Sequence, residues 1–182
     1  GISQGQFITA RTMEDRLMAE RDHKTTLAFS KEITEKYGDD PRAREAMAVQ
    51  TQLFNTRRAT LQGELSILRE NLQGMNEQLK GMEALKMSRE QQVKFINEEL
   101  KGVRDMAAQG YVPKNRMFQL ERGLAEISGQ LSEAMANIGR TRNGLAELKL
   151  RVLQRENEYQ KEVESQLVEV QKEARAQADR VA

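Results

Sequence analysis

Apolar residues return along this chain at alternating steps of four and three. The first series runs Leu61, Leu65, Leu68, Leu72, Met75, Leu79 and Met82, passes through Lys86 and Arg89, and resumes at Val93, Ile96, Leu100, Val103 and Ala107. A second series runs Met117, Leu120, Leu124, Ile127, Leu131, Ala134, Ile138, Thr141, Leu145, Leu148 and Val152. A heptad rhythm held this long predicts two coiled-coil helices, each with a narrow apolar seam. Beyond Val152 the apolar positions shift to Tyr159, Val163, Leu167, Val170, Ala174 and Val181. Two successive steps of four make a stutter there, which relaxes the supercoil and predicts straighter helices.

The two series are separated by Asp105-Met-Ala-Ala-Gln-Gly-Tyr-Val-Pro-Lys-Asn-Arg116. Gly110 can adopt the left-handed conformation that ends a helix. Pro113 suits the first turn of the next helix and pushes Val112 towards extended backbone. So short a connection forces neighbouring helices antiparallel. The fold class expected is all-α, a long antiparallel coiled-coil hairpin with arms 41–109 and 114–182 and a tip at 110–113. The arms are of equal length, and at 1.5 Å per residue each reaches on the order of 100 Å.

Asp39-Asp40-Pro41 supplies an N-cap and a helix-opening proline, and Gly38 closes the segment before it. Residues 1–40 form a separate N-terminal helical segment in this reading. Met13, Leu17 and Leu27 suggest a helix near 6–24 and a shorter one near 30–37, packed beside the start of the long arm as a local third strand of bundle. The Gly1-Ile-Ser-Gln-Gly start, with no initiator Met, reads like a cut edge, so the chain is expected to be an excised piece.

Composition sharpens the picture. Apolar residues make up 38% and charged residues 31%, enough for seams but not for a thick core. Lys plus Arg (29) balance Asp plus Glu (28), so no overall field favours nucleic acid. No run approaches the roughly 18–20 apolar residues of a membrane span. Without cysteine there is no disulfide or thiolate metal site. The one histidine, His23, stands among charged residues with no second ligand or nucleophile near it in sequence, and reads as exposed and chemically inert. Glu98-Glu99 and Glu156/Glu158 read as solvated helix faces. No catalytic residue, metal or cofactor is expected, and the chain is read as a non-enzyme.

Lys86 and Arg89 hold seam positions, where their stems can cover the seam while their charges reach water; a register-setting polar layer or a polar contact with a neighbouring hairpin is the alternative, and Thr141 and Arg155 raise the same question on the return arm. The helix-interior glycines are more demanding. Each costs roughly 0.8–1 kcal/mol relative to Ala, which a solvated rod does not recover. Gly74, Gly81, Gly123 and Gly129 are therefore candidates for close packing between neighbouring hairpins; toleration on exposed faces is the alternative.

Several segments resemble the α-helical domain of periplasmic membrane fusion proteins, or adaptors, and in particular HlyD-like adaptors of type I secretion systems. Arg16-Leu-Met-Ala-Glu-Arg-Asp22 followed by Leu27-Ala-Phe29 is one. Asp40-Pro41 with Gln52-Leu-Phe-Asn-Thr-Arg-Arg-Ala-Thr-Leu61 is another, matching the opening of that family's long helix. Leu100-Lys-Gly-Val-Arg-Asp-Met-Ala-Ala-Gln-Gly-Tyr-Val112 with Leu120-Glu-Arg122 is similar to its tip. Glu158-Tyr-Gln-Lys-Glu-Val163 and Leu167-Val-Glu-Val-Gln171 are similar to its closing run.

The resemblance implies a bridge: an adaptor anchored in the inner membrane beside an ABC transporter, its hairpins assembled as a homo-oligomer, commonly a hexamer, and reaching through the periplasm to a TolC-like outer-membrane channel. It makes the tip the docking element, with Met106, Gly110, Tyr111, Val112, Pro113 and Lys114 as the candidate residues. Many adaptors carry Arg-x3-Leu-x6-Ser there; this chain has Gly102, Met106 and Pro113 at those places, so only the apolar element is kept. The rival reading from another class is a scaffold or cytoskeletal coiled coil that dimerises along its length.

Overall fold

A computed structural model describes all 182 residues. The chain forms four helices and no strand: α1 (Ile2–Arg21), α2 (Lys31–Lys36), α3 (Pro41–Ala108) and α4 (Lys114–Val181). The architecture is the all-α antiparallel hairpin that the heptads predict, α3 running out and α4 running back, with α1 as the additional packed helix. Two compact units divide the chain, Gly1–Leu68 with Arg151–Ala182, and Arg69–Leu150.

In the first unit, α1 lies against α3 and α4. Ala10 and Leu17 pack with Tyr159, Val163, Leu167, Val170 and Ala174, flanked by Met13, Met18 and Leu61. Phe7 and Ile8 pack with Ile33, Tyr37 and Ala43, flanked by Met47, Ala178 and Val181. Fully burying side chains such as Ile8, Leu17 and Val163 contributes about 1.5–3 kcal/mol each. The stutter residues thus serve a three-helix core, which needs a wider apolar stripe than a two-helix seam.

α1 begins four residues before the predicted start, because burial of Phe7 and Ile8 recruits the turn that carries them. It ends three residues early for a local reason. His23 sits at φ 54, the one non-glycine residue with positive φ. Its N–H donates to the Glu20 carbonyl at 3.2 Å, and the Lys24 N–H to the Ala19 carbonyl at 2.9 Å. These are the two bonds of a Schellman cap. Further on, Gly38 has no room for a side chain, since a Cβ there would lie 2.3 Å from the Thr34 carbonyl oxygen. Asp40 accepts the Arg42 N–H at 2.9 Å, the N-cap role expected ahead of Pro41.

A buried ionic network fastens α1 to both long helices. The Glu20 carboxylate has no exposed surface, and it meets the guanidinium of Arg16, four residues earlier on the same helix. Arg57 on α3 donates Nε to Glu20 Oε1 at 2.8 Å, and the Tyr159 hydroxyl on α4 donates to the same oxygen at 2.5 Å. Arg16 Nε also donates to Gln50 Oε1 at 2.5 Å, and the Arg57 guanidinium lies 5.4 Å from the Tyr159 ring centre.

The second unit is a plain two-helix seam. Leu100, Ala134, Ile138, Leu145 and Leu148 are buried, and the remaining heptad positions of both series within it are half-buried or better. Thr141 is buried in the seam and donates to the Met82 sulfur at 3.2 Å. Lys86 is half-covered and reaches Glu90 at 3.6 Å, while Arg89 donates to Gln92 at 2.9 Å. Both therefore lay their stems on the seam and turn their charges to water.

Arg16→Ala strips the buried Glu20 carboxylate of a partner and is expected to cost about 3 kcal/mol, read as a lower urea midpoint. Burial first, then the bond to Glu20, push the Tyr159 phenol above its ordinary value of 10. The fold holds the neutral phenol, so its stabilisation is complete below pH 10 and is lost as pH rises through the raised folded value. A stability–pH profile should show that alkaline fall in the parent chain, and Tyr159→Phe should flatten it.

Candidate functional site

The turn between α3 and α4 is built from backbone bonds before any side chain matters. Gly110 adopts φ 81. The Tyr111 N–H donates to the Met106 carbonyl at 2.9 Å, and the Gly110 N–H to the Ala107 carbonyl at 3.1 Å. This is again a Schellman cap, and it engages two of the carbonyls that would otherwise hang free at the end of α3. Pro113 follows, with its carbonyl accepting the Arg116 N–H at 3.2 Å. Below the turn, Arg116 meets Glu99 at 2.8 Å and Arg104 meets Glu121 at 3.3 Å, bracing one arm against the other.

With the end of α3 closed by these bonds, the turn presents side chains to the outside. Tyr111 is 74% exposed and Met106 47%. Gly110, Pro113 and Lys114 are exposed as well, while Val112 is half-buried and turned partly inward. An aromatic ring, a thioether and one lysine project from a rigid turn. The ring and thioether present apolar surface to solvent beside one cationic group. Sequence reasoning did not single out Phe118, which is also exposed one turn into α4. The available signal was a bulky aromatic one residue out of phase with the seam.

The candidate glycines behave alike within one chain. A Cβ built at Gly74, Gly81, Gly123 or Gly129 would meet nothing within 4 Å. Gly74, Gly81 and Gly129 are exposed and Gly123 is half-buried. The interior glycine under pressure in this fold is Gly144, where a Cβ would approach the Met75 sulfur to 3.1 Å. His23 is exposed, as expected. Its cap conformation is a structural role that its side-chain chemistry did not suggest. No helix is long and apolar enough to cross a membrane.

A family described as "AprE, long alpha-helical hairpin" matches residues 1–182. Among relatives, the alkaline protease secretion protein AprE of Pseudomonas aeruginosa is 38% identical over 170 residues, 93% of this chain and 39% of that protein. The proteases secretion protein PrtE of Dickeya chrysanthemi is 34% identical over 169 residues, 93% of this chain and 37% of that protein. The type I secretion system membrane fusion protein PrsE of Rhizobium meliloti is 27% identical over 166 residues, 91% of this chain and 37% of that protein. The chain thus spans less than two fifths of these relatives' length. A crystal structure of the soluble domain of LipC, a membrane fusion protein of a type I secretion system, superposes with a TM-score of 0.91 at 33% identity, covering 98% of this chain and 83% of that one.

Gly110→Ala places a Cβ in the left-handed region and is expected to destabilise the chain by about 1–2 kcal/mol. Chemical denaturation of the variant and parent at one protein concentration measures the difference.

Proposed function

This chain belongs to the AprE long α-helical hairpin family of type I secretion membrane fusion proteins, and on that premise we propose that it is the spacer and docking arm of a periplasmic adaptor. The adaptor is held in the inner membrane beside an ABC transporter, and its hairpin meets a TolC-like outer-membrane channel. Copies of the hairpin stand together as a homo-oligomer around the export path. The work is mechanical: two helices locked through a continuous seam set a distance, and the tip recognises what lies at the end of it.

The observation that carries this reading is the contrast at the turn. The end of α3 is closed by backbone bonds from Gly110 and Tyr111, yet the Tyr111 and Met106 side chains stay exposed. A turn that served only to reverse the chain would have no use for an aromatic ring in water. Burying one Tyr-sized contact is worth about 1.5–3 kcal/mol, enough for a docking anchor when several copies act together. The resemblance to adaptors names the channel and the transporter as the partners. The scaffold alternative offers no account of this exposed turn.

Grafting residues 1–182 over the matching segment of the Pseudomonas aeruginosa relative tests the proposal. The graft is expected to support alkaline protease secretion. Tyr111→Asp should reduce secretion by about tenfold or more, the effect of losing roughly 1.4 kcal/mol or more of docking energy, with helicity and melting unchanged. Secretion at the parental level in the Tyr111→Asp graft would overturn the docking role of the tip.

A further inference from the structure

Away from the turn, the second unit leaves large apolar side chains in water that the seam does not use: Leu85, Phe95, Phe118, Met135 and Leu150. Two of them, Phe95 and Phe118, lie on lines that the heptad spacing defines; Leu85, Met87, Met135 and Leu150 lie off those lines. On α3, every seventh residue from Gly74 gives Gly74, Gly81, Ser88, Phe95 and Gly102, all exposed and none charged. On α4, the same step from Phe118 gives Phe118, Ala125, Ser132, Gly139 and Ala146, again exposed and uncharged. Such lines are unusual in a chain where 31% of residues carry charge.

The two lines cannot meet within one chain. The ion pairs Arg104–Glu121 and Glu83–Arg142 join flanking positions along one edge of the seam, and Glu99–Arg116 joins those along the other edge. Against these edges, the α3 line points outward on the Glu99–Arg116 side, whereas the α4 line points outward on the opposite side. A second hairpin, tip in the same direction and moved sideways without rotation, brings its α4 line head-on to the α3 line of the first.

We propose that this is how copies of the chain dock: the α3 line of one hairpin against the α4 line of the next, with no shift along their length. This deepens the homo-oligomer proposed above and rests on that reading. The level of the two arms follows from the Met75–Gly144 and Met82–Thr141 contacts and from the matched seam series. At that level, small residues face small ones, Gly74 opposite Ala146, Gly81 opposite Gly139 and Ser88 opposite Ser132. Each exposed ring faces a gap, Phe95 opposite Ala125 and Phe118 opposite Gly102.

Charge agrees with shape. Beside the apolar line, the outer edge of α3 carries Glu70, Glu77 and Asp105, which come level with Lys149, Arg142 and Lys114 of the neighbour. On the other flank Glu99 comes level with Arg122, and Leu85 with Ala136. The like-charged match is Glu98 with Glu121; Glu121, Glu77, Arg142 and Glu99 also hold partners in their own chain, in Arg104, Lys80, Glu83 and Arg116. Gly74, Gly81, Gly102 and Gly139, which nothing in a single chain requires, acquire a use here, since they let two backbones approach closely; Gly123 and Gly129 lie off these lines.

Cysteine pairing tests the register, because the chain has no cysteine of its own. One preparation carries Ser88→Cys and a second carries Ser132→Cys; they are mixed at high concentration and oxidised. A mixed disulfide is expected at about tenfold the yield of either self-linked product, the ratio a Phe-sized docking contact confers. Ser88→Cys with Ala146→Cys, two heptads away, should link no better than background. Adding Phe95→Ala to the first chain should cut the yield by about tenfold, and adding Ala125→Phe to its partner should restore it. Equal self-linked and mixed yields, equal linking of Ala146→Cys, or no disulfide at all would each overturn the interface. If Tyr111 stayed essential for secretion in that event, the adaptor reading would survive its loss.

Discussion

Everything in this molecule depends on two heptad series being held in phase by one turn. An antiparallel pair buries its apolar residues only when each layer of one helix comes level with a layer of the other. The Gly110–Pro113 connection sets that level. A slip of one residue would carry Leu100 and Leu145 off the seam and, at Leu100, bring charged Glu99 or Lys101 into it. The Schellman cap at Gly110 is thus a register device as much as a chain reversal, because its bonds to Met106 and Ala107 fix where α3 stops.

The seam alone is thin. Its layers are half-open to water over much of the second unit, where Leu100 is the fully buried large residue. The first unit adds a third helix and a true core, and there the chain places its most costly polar groups. Glu20, Arg16, Arg57 and Tyr159 bury charge where an apolar layer would pack more simply. Such networks contribute less to stability than to specificity. The geometry here fits that role: a single carboxylate on α1 is read by side chains from both long helices, so α1 has one way to sit.

Much of this was legible in the sequence. The seams, the turn, the N-cap at Asp40 and the segment end at Gly38 follow from spacing and backbone chemistry, which act locally. The end of α1 did not, because His23 takes a conformation that glycine usually fills. Arg57 and Tyr159 were visible as a basic pair and a seam residue. Their shared partner Glu20 lies far away in sequence on another helix, and no local pattern joins them. At the candidate site, the resemblance made Tyr111 a tip candidate, and the structure adds that its side chain is exposed. Phe118 was overlooked because attention to seam positions hides what stands outside them, and the free space around Gly74, Gly81 and Gly129 could be judged only with neighbouring atoms in place.

Family membership places the chain among type I secretion membrane fusion proteins, and the proposed role of reach and recognition builds on that. That function stands on the chain doubling back at Gly110. Spin labels at Asn76 and Lys149, both exposed and close to level on the same edge of the seam, measure this directly by pulsed dipolar spectroscopy at dilution. Helices packed at roughly 8–10 Å between axes predict a label separation of about 20 Å or less. A separation of about 110 Å, the rise of one continuous helix over that stretch, would contradict it.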